Sequence, residues 1–194
     1  MKIAAALITI GLTLAGQSVF AARNDVMEGD KASPVKVLIY EDLECGDCAR
    51  FQAILDQKIL PKYGSKVLFI HRDFPLGKHD WARPAALAAR WVYEQDTELG
   101  IEIRRELLSE QDSITAQNLN SWLVEFAARH HLDQKDILNS LTDPRIGALV
   151  DQDRQAAVAR GVSKTPTAYV GGQAFVETIV YEDLARAIDE ALAK

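Results

Sequence analysis

The chain's two cysteines stand as Cys45-Gly46-Asp47-Cys48, at a junction between two segments of different period. Before them runs Val35-Lys-Val-Leu-Ile-Tyr40, a nearly continuous apolar stretch that suits a strand buried on both faces. After them, Ala49 to Leu60 carries Phe51, Ile54, Leu55 and Ile59 at helical spacing. The pair therefore sits where a strand hands over to a helix, with Cys45 at or near the helix N-terminus. The first N–H groups of a helix have no internal partners, and that end carries partial positive charge. Both stabilise a thiolate, the reactive form of cysteine.

A Cys-x-x-Cys can be a redox dithiol, a structural disulfide or half of a metal site. A disulfide closing so short a loop removes little entropy from the unfolded chain, because that benefit grows with loop length. A metal site needs further ligands at recognisable spacing. The histidines, His71, His79, His130 and His131, form no such pattern. The placement after a strand and at a helix start favours the redox dithiol. No metal or cofactor is expected beyond the Cys45–Cys48 couple itself.

The N-terminus reads as an address rather than as fold. Met1-Lys2 is a short basic start, Ile3 to Leu14 is apolar, and Val19-Phe20-Ala21 fits a small-residue cleavage rule. Residues 1–21 are thus expected to be a secretory signal peptide, with an uncleaved anchor as the alternative. The apolar stretch is short against the ~20 residues of a membrane-spanning helix. Cleavage leaves 173 of the 194 residues, with 21 basic against 28 acidic side chains, a net charge of −7. No basic cluster points to nucleic acid. Export to the periplasm would place the cysteines where a disulfide can persist.

In order along the chain, 22–33 is a polar, irregular lead-in. Residues 34–77 form a βαβ unit: strand 35–40, a helix stopped by Pro61, and strand 66–71, joined by a right-handed crossover. From 78 to 160 the pattern is helical, with helices expected over 81–95, 97–109, 115–130 and 134–141. A last one is capped by Asp143 with Pro144 at its first position. Trp81, Trp91 and Trp122 lie on apolar stripes and read as core. His130-His131 reads as favourable charge at a helix C-terminus. From 161 to 194 come strand 168–170, a Gly171-Gly172 hairpin turn, a return strand 173–178 and a closing helix over 182–193.

The order βαβ, helical block, ββα, with Cys-x-x-Cys after the first strand and Thr165-Pro166 before the third, resembles the thioredoxin-like α/β fold. The helical insertion of about 80 residues makes it similar, more narrowly, to the DsbA-like family of exported thiol–disulfide oxidoreductases. The motifs that carry the likeness are Tyr40-Glu-Asp-Leu-Glu-Cys-Gly-Asp-Cys48, Arg72-Asp-Phe-Pro-Leu76 with His79, and Gly161-Val-Ser-Lys-Thr-Pro-Thr167. The resemblance implies that Cys45 is the exposed attacking thiol and Cys48 the buried resolving thiol. It implies that Pro166 is a cis-proline facing them, with Thr165 before it, where an extended substrate segment pairs. It implies a periplasmic monomer that oxidises cysteine-containing exported proteins and is itself reoxidised by a membrane partner. A reductase with few clients, or a non-catalytic thiol metal carrier or binding module, are the alternatives.

The strongest oxidases of the family carry a histidine between the cysteines; this chain has Gly46-Asp47. A carboxylate at ~5 Å would repel a thiolate by ~3 kcal/mol at an effective dielectric of ~20, and by ~1 once water screens it. The helix end returns ~0.3–2 kcal/mol. With Glu41 and Glu44 also near, Gly46, Asp47 and Glu44 are expected to tune Cys45 so that the two effects nearly cancel. The expectation is a modestly depressed pKa and a less oxidising couple.

Overall fold

The computed structural model describes residues 25–194; the signal-peptide reading of 1–21 lies outside them. Five strands form one sheet in the order β1-β3-β2-β4-β5. β2 (Lys36–Glu41) and β3 (Leu68–Asp73) pair in parallel, and β1 (Val26–Gly29), β4 (Thr167–Val170) and β5 (Gln173–Val176) are antiparallel to their neighbours. Leu38 at the centre of β2 faces Ile70 on one side and Tyr169 on the other. β1 corrects the expectation of an irregular lead-in. Four residues are too short to show a period, but Val26 is fully buried and the strand completes the β3 edge.

The helix after the cysteines also differs from expectation. α1 (Gly46–Ile54) continues through a π-helical stretch, Leu55–Ile59, into α2 (Leu60–Tyr63). Pro61 lies within this run rather than ending it. A proline in a regular helix lacks the N–H and crowds the carbonyl four residues back. The wider π turn just before it relieves that conflict. The run stops at Gly64, whose N–H still donates to the Leu60 carbonyl at 2.8 Å.

The sheet is covered on one face by α1 and by α8 (Tyr181–Leu192). Val37, Ile39, Phe69 and Val170 meet Phe51, Leu55, Leu184 and Ile188 there. The helical block is α3 (Ala82–Gln95), α4 (Thr97–Ser109), α5 (Leu119–Arg129), α6 (Gln134–Asn139) and α7 (Pro144–Ala159). Asp143 caps α7 by accepting from the N–H groups of Arg145 and Ile146, as its position before Pro144 predicts. α7 packs on the other face of the sheet, with Ala157 and Val162 against Tyr40 and Phe74. Gly171 and Gly172 both have positive φ, 57° and 86°, as the tight β4–β5 turn requires. Among the described residues, no helix is long and apolar enough to cross a membrane.

Candidate active site

Cys45 is the N-cap of α1, in extended backbone at φ −87°, ψ 119°. Its N–H donates to the Asp42 carbonyl at 3.1 Å, and its carbonyl accepts the Ala49 N–H at 3.1 Å, the first bond of the helix. Both cysteines are free thiols and belong to the apolar core of the helical block, beside Leu43, Trp81 and Leu108. Cys45 keeps 8 % exposure and Cys48 2 %. Cys45 is thus buried, not exposed as the resemblance implies, though less deeply than Cys48.

The Thr165–Pro166 peptide is cis and brings the Thr165 carbonyl to 3.5 Å from Cys45 Sγ. The segment is braced from below. Thr167 Oγ1 donates to the Lys164 carbonyl at 2.7 Å, and the Glu177 N–H donates to the Pro166 carbonyl at 2.8 Å. Thr165 Oγ1 is buried and has no hydrogen-bond partner among the described residues. Beside the sulfur opens a groove of about 380 Å³, with Leu76, Lys78, Lys164, Thr165 and Glu177 in its walls. A larger cleft of about 450 Å³ lies between α1 and α4, along Arg50, Asp56 and Arg105, and neither cysteine lines it.

The two thiols are driven apart in proton affinity. The Cys48 thiol donates to Cys45, which lowers the Cys45 pKa most. Burial opposes this. The backbone N–H groups of Cys48 and Asp47 add to the lowering, and the thiol is held at about 5. Cys48 is pushed well above 9, first by burial, then by its hydrogen bond to Cys45 and that thiolate's charge. The Asp42 N–H, 3.4 Å from Cys48 Sγ, works against this, and the Glu41 carboxylate works with it.

The expected cancellation at Cys45 is therefore not what the structure gives. Asp47 forms an ion pair with Arg50 one turn on, so its charge is largely answered on the helix surface. Glu44 turns away: its Oε2 accepts from the N–H groups of Trp81 at 2.7 Å and Ala82 at 2.9 Å, at the start of α3. Glu41 is buried with His71 and Arg104, and its charge raises the pKa of Cys48. Gly46, beside Cys45, has open space around it, with only Arg50 near an added Cβ.

The structure gives further groups a part at this site. Asp42 ties the turn to the loop after β3: its Oδ1 accepts from Glu44 N at 2.8 Å, and its Oδ2 accepts from Leu76 N at 2.6 Å. His79 Nδ1 lies 2.8 Å from the same Oδ2, which gives His79 its place. Gln111, between α4 and α5, also reaches the cysteine turn. Asp42 and His79 stand in quoted motifs, so a paired Asp and His was a signal to follow; Gln111 has none. Elsewhere, His130 lies against Glu102 and Glu106 on the helical block, where Arg129 already pairs with Glu106. That set is remote in sequence from the dithiol.

A five-stranded sheet with a thiol pair at the head of its first crossover helix, facing a Thr-Pro turn, defines a thioredoxin-fold protein. The thioredoxin family's profile matches residues 21–190, and the chain belongs to that family. Within it the architecture is DsbA-like. BdbD from Bacillus subtilis superposes with a TM-score of 0.78 at 21 % identity, covering 88 % of this chain and 94 % of that one. The alpha-DsbA1 structure from Wolbachia pipientis gives 0.76 at 24 % identity, covering 88 % and 92 %. By sequence, the Na(+)/H(+) antiporter NhaA 3 of Salinispora tropica is 32 % identical over 170 residues, 87 % of this chain. The chain spans about a quarter of the length of the curated relatives it matches.

Proposed function

We propose that this chain is a periplasmic protein dithiol–disulfide oxidoreductase that works mainly as an oxidase of exported proteins. The observation that supports this reading most is the split between Cys45, held at about 5, and Cys48, held well above 9. One sulfur is a good leaving group at neutral pH and the other holds its proton.

In the oxidised enzyme a client thiolate attacks Cys45 Sγ. The Cys45–Cys48 bond breaks, and its electron pair leaves on Cys48, which takes a proton. The client and Cys45 are then joined as a mixed disulfide, lying in the groove between Leu76 and Thr165. A second client thiolate attacks the client sulfur of that bond. Cys45 departs as a thiolate stabilised by the Cys48 thiol and the helix N–H groups. The client has lost two electrons and two protons; the enzyme has gained both electrons and, on Cys48, one proton, and the other proton passes to water. A membrane redox partner takes them to restore the disulfide. A low Cys45 pKa stabilises the reduced enzyme, which makes the couple more oxidising. Na(+)/H(+) exchange is the named property of the much longer antiporter relatives, and none is proposed for this chain.

The test is the redox equilibrium of Cys45–Cys48 against glutathione, together with oxidation of a dithiol peptide and a Cys45→Ala control. A potential well above thioredoxin's value of about −270 mV, with activity lost in Cys45→Ala, is expected. A potential near that value would make the protein a reductase. No exchange, with a metal ion retained through purification, would make it a thiol metal carrier.

A further inference from the structure

We infer that Gln111, on the connector between α4 and α5, is a positioning residue that sets Cys45 reactivity by clamping the cysteine turn. This rests on the thiol-exchange reading above. The Gln111 Nε2 donates to two carbonyls at once, Leu43 at 2.8 Å and Cys45 at 3.1 Å. Both partners can only accept, so the amide must present its NH₂ end here, and its two hydrogens match the two oxygens. The two carbonyls bracket Glu44. Their peptide planes are those on either side of the Glu44–Cys45 pair, and the second of them opens α1.

The clamp is built on a braced support. Gln111 is half-buried and begins a 3₁₀ turn, Gln111–Ser113. On one side of that turn, Glu110 accepts from Trp122 Nε1 at 2.8 Å. On the other, Asn118 Nδ2 donates to the Ser113 carbonyl at 2.8 Å while its Oδ1 accepts from Thr115 N at 2.7 Å. The turn it grips is held from the far side by Glu44, bound to the start of α3. The helical insertion therefore grasps the cysteine turn at two points, in both cases as the donor: the Gln111 amide to the turn's backbone carbonyls, and the Trp81 and Ala82 N–H groups to the Glu44 carboxylate.

Gln111 touches neither sulfur in the bonds described. It acts on the Cys45 backbone, at the N-cap of α1, where the N–H groups of Asp47 and Cys48 lower the Cys45 pKa. Loosening that geometry weakens those N–H contacts, and a thiolate loses stability that a neutral thiol does not need. A purely structural glutamine would affect unfolding while leaving the thiolate's titration in place.

The experiment follows the Cys45 thiolate by absorbance at 240 nm against pH in reduced wild type, Gln111→Met and Gln111→Ala. Gln111→Met keeps side-chain bulk without a donor, and Gln111→Ala removes both. The midpoint is expected to rise by ~0.5–1 pH unit, the effect of roughly one net hydrogen bond. The equilibrium with glutathione at pH 7 should shift ~3–10-fold towards the oxidised protein, following the same linkage. A rise of less than ~0.5 unit in a variant that melts cooperatively overturns the clamp, as does loss of the fold in both variants. A wild-type protein that exchanges no disulfide overturns the oxidoreductase reading instead, and the titration still judges the clamp.

Discussion

Cys45 and Cys48 share one helical turn, yet their protons answer to different surroundings. Cys45 is met by donors, a thiol and a helix start, with the Thr165 carbonyl beside its sulfur. Cys48 is met by burial and by negative charge from Cys45 and Glu41. The surface pair Asp47–Arg50 matters here because it answers the carboxylate that stands between the two cysteines. Arg50→Ala is expected to raise the thiolate midpoint at 240 nm from about 5 by a few tenths of a unit, and more at low salt, since exposed charges are screened. A lower midpoint in that variant would remove Asp47 from the tuning of Cys45. Sequence alone showed the dithiol and the Thr-Pro segment because each is contiguous and made of residue types with distinctive chemistry. It did not show that Glu44 faces α3 or that Asp47 has a partner. Those depend on where side chains point, which charge and spacing do not encode.

Among the helices, α3 and α4 share the most extensive contact. Gly100 on α4 faces Tyr93 on α3, and a Cβ at Gly100 would overlap the Tyr93 backbone. The same tyrosine's hydroxyl accepts from the Met27 N–H at 3.0 Å, so its position also holds β1. Gly100→Ala should destabilise by ~1–3 kcal/mol through overpacking, lowering the Tm by ~2–4 °C per kcal/mol. Calorimetry with an unchanged Tm would mean that the helices part freely. The long helices were legible from their apolar periods and from signals such as Asp143-Pro144. β1 was not, because Val26-Met-Glu-Gly is short and its strand character comes from pairing with β3. Pro61 misled for a related reason: its local rule assumes a regular helix, and the chain inserts a π turn.

The whole molecule is joined across the sheet and the helical block by buried charge. His71 on β3 lies 3.0 Å from Glu41 on β2 and 2.9 Å from Glu28 on β1. Arg104 from α4 reaches Glu41 and Asp73, each at 2.8 Å, and Asp153 from α7 meets Arg72 at 2.9 Å and also pairs with Arg90. Burial opposes the charge on His71, but Glu41 and Glu28 outweigh it and raise its pKa to about 9. Burial likewise opposes the Glu41 carboxylate, and His71 and Arg104 hold it at about 2. The raised His71 contributes stability that is complete below its unfolded value near 6.5 and lost as pH rises through 9. The lowered Glu41 contributes stability complete above 4.5 and lost as pH falls through 2. In oxidised protein, where Cys45 does not titrate, the unfolding free energy should be highest between about 4.5 and 6.5 and decline towards 9. His71→Gln should flatten the alkaline decline and lower stability by ~3–5 kcal/mol at pH 6, as expected for breaking a buried pair. Denaturant titrations at pH 6 and 9 measure both, and an equal decline in the variant would place the effect elsewhere. Charged residues inside strands were the sequence's trace of this network, but which of them meet depends on strand register.

β4 lies against β2, although the whole helical block separates them along the chain. A growing chain therefore carries both cysteines well before it carries Thr165 and Pro166. Until the residues from 161 onward are made, the thiol pair has its helix start but not the Thr165 carbonyl or the second wall of the groove. Biosynthesis thus delivers the thiol pair first and the Thr165–Pro166 turn last, and a polypeptide released within the helical block would carry a dithiol whose groove lacks one wall.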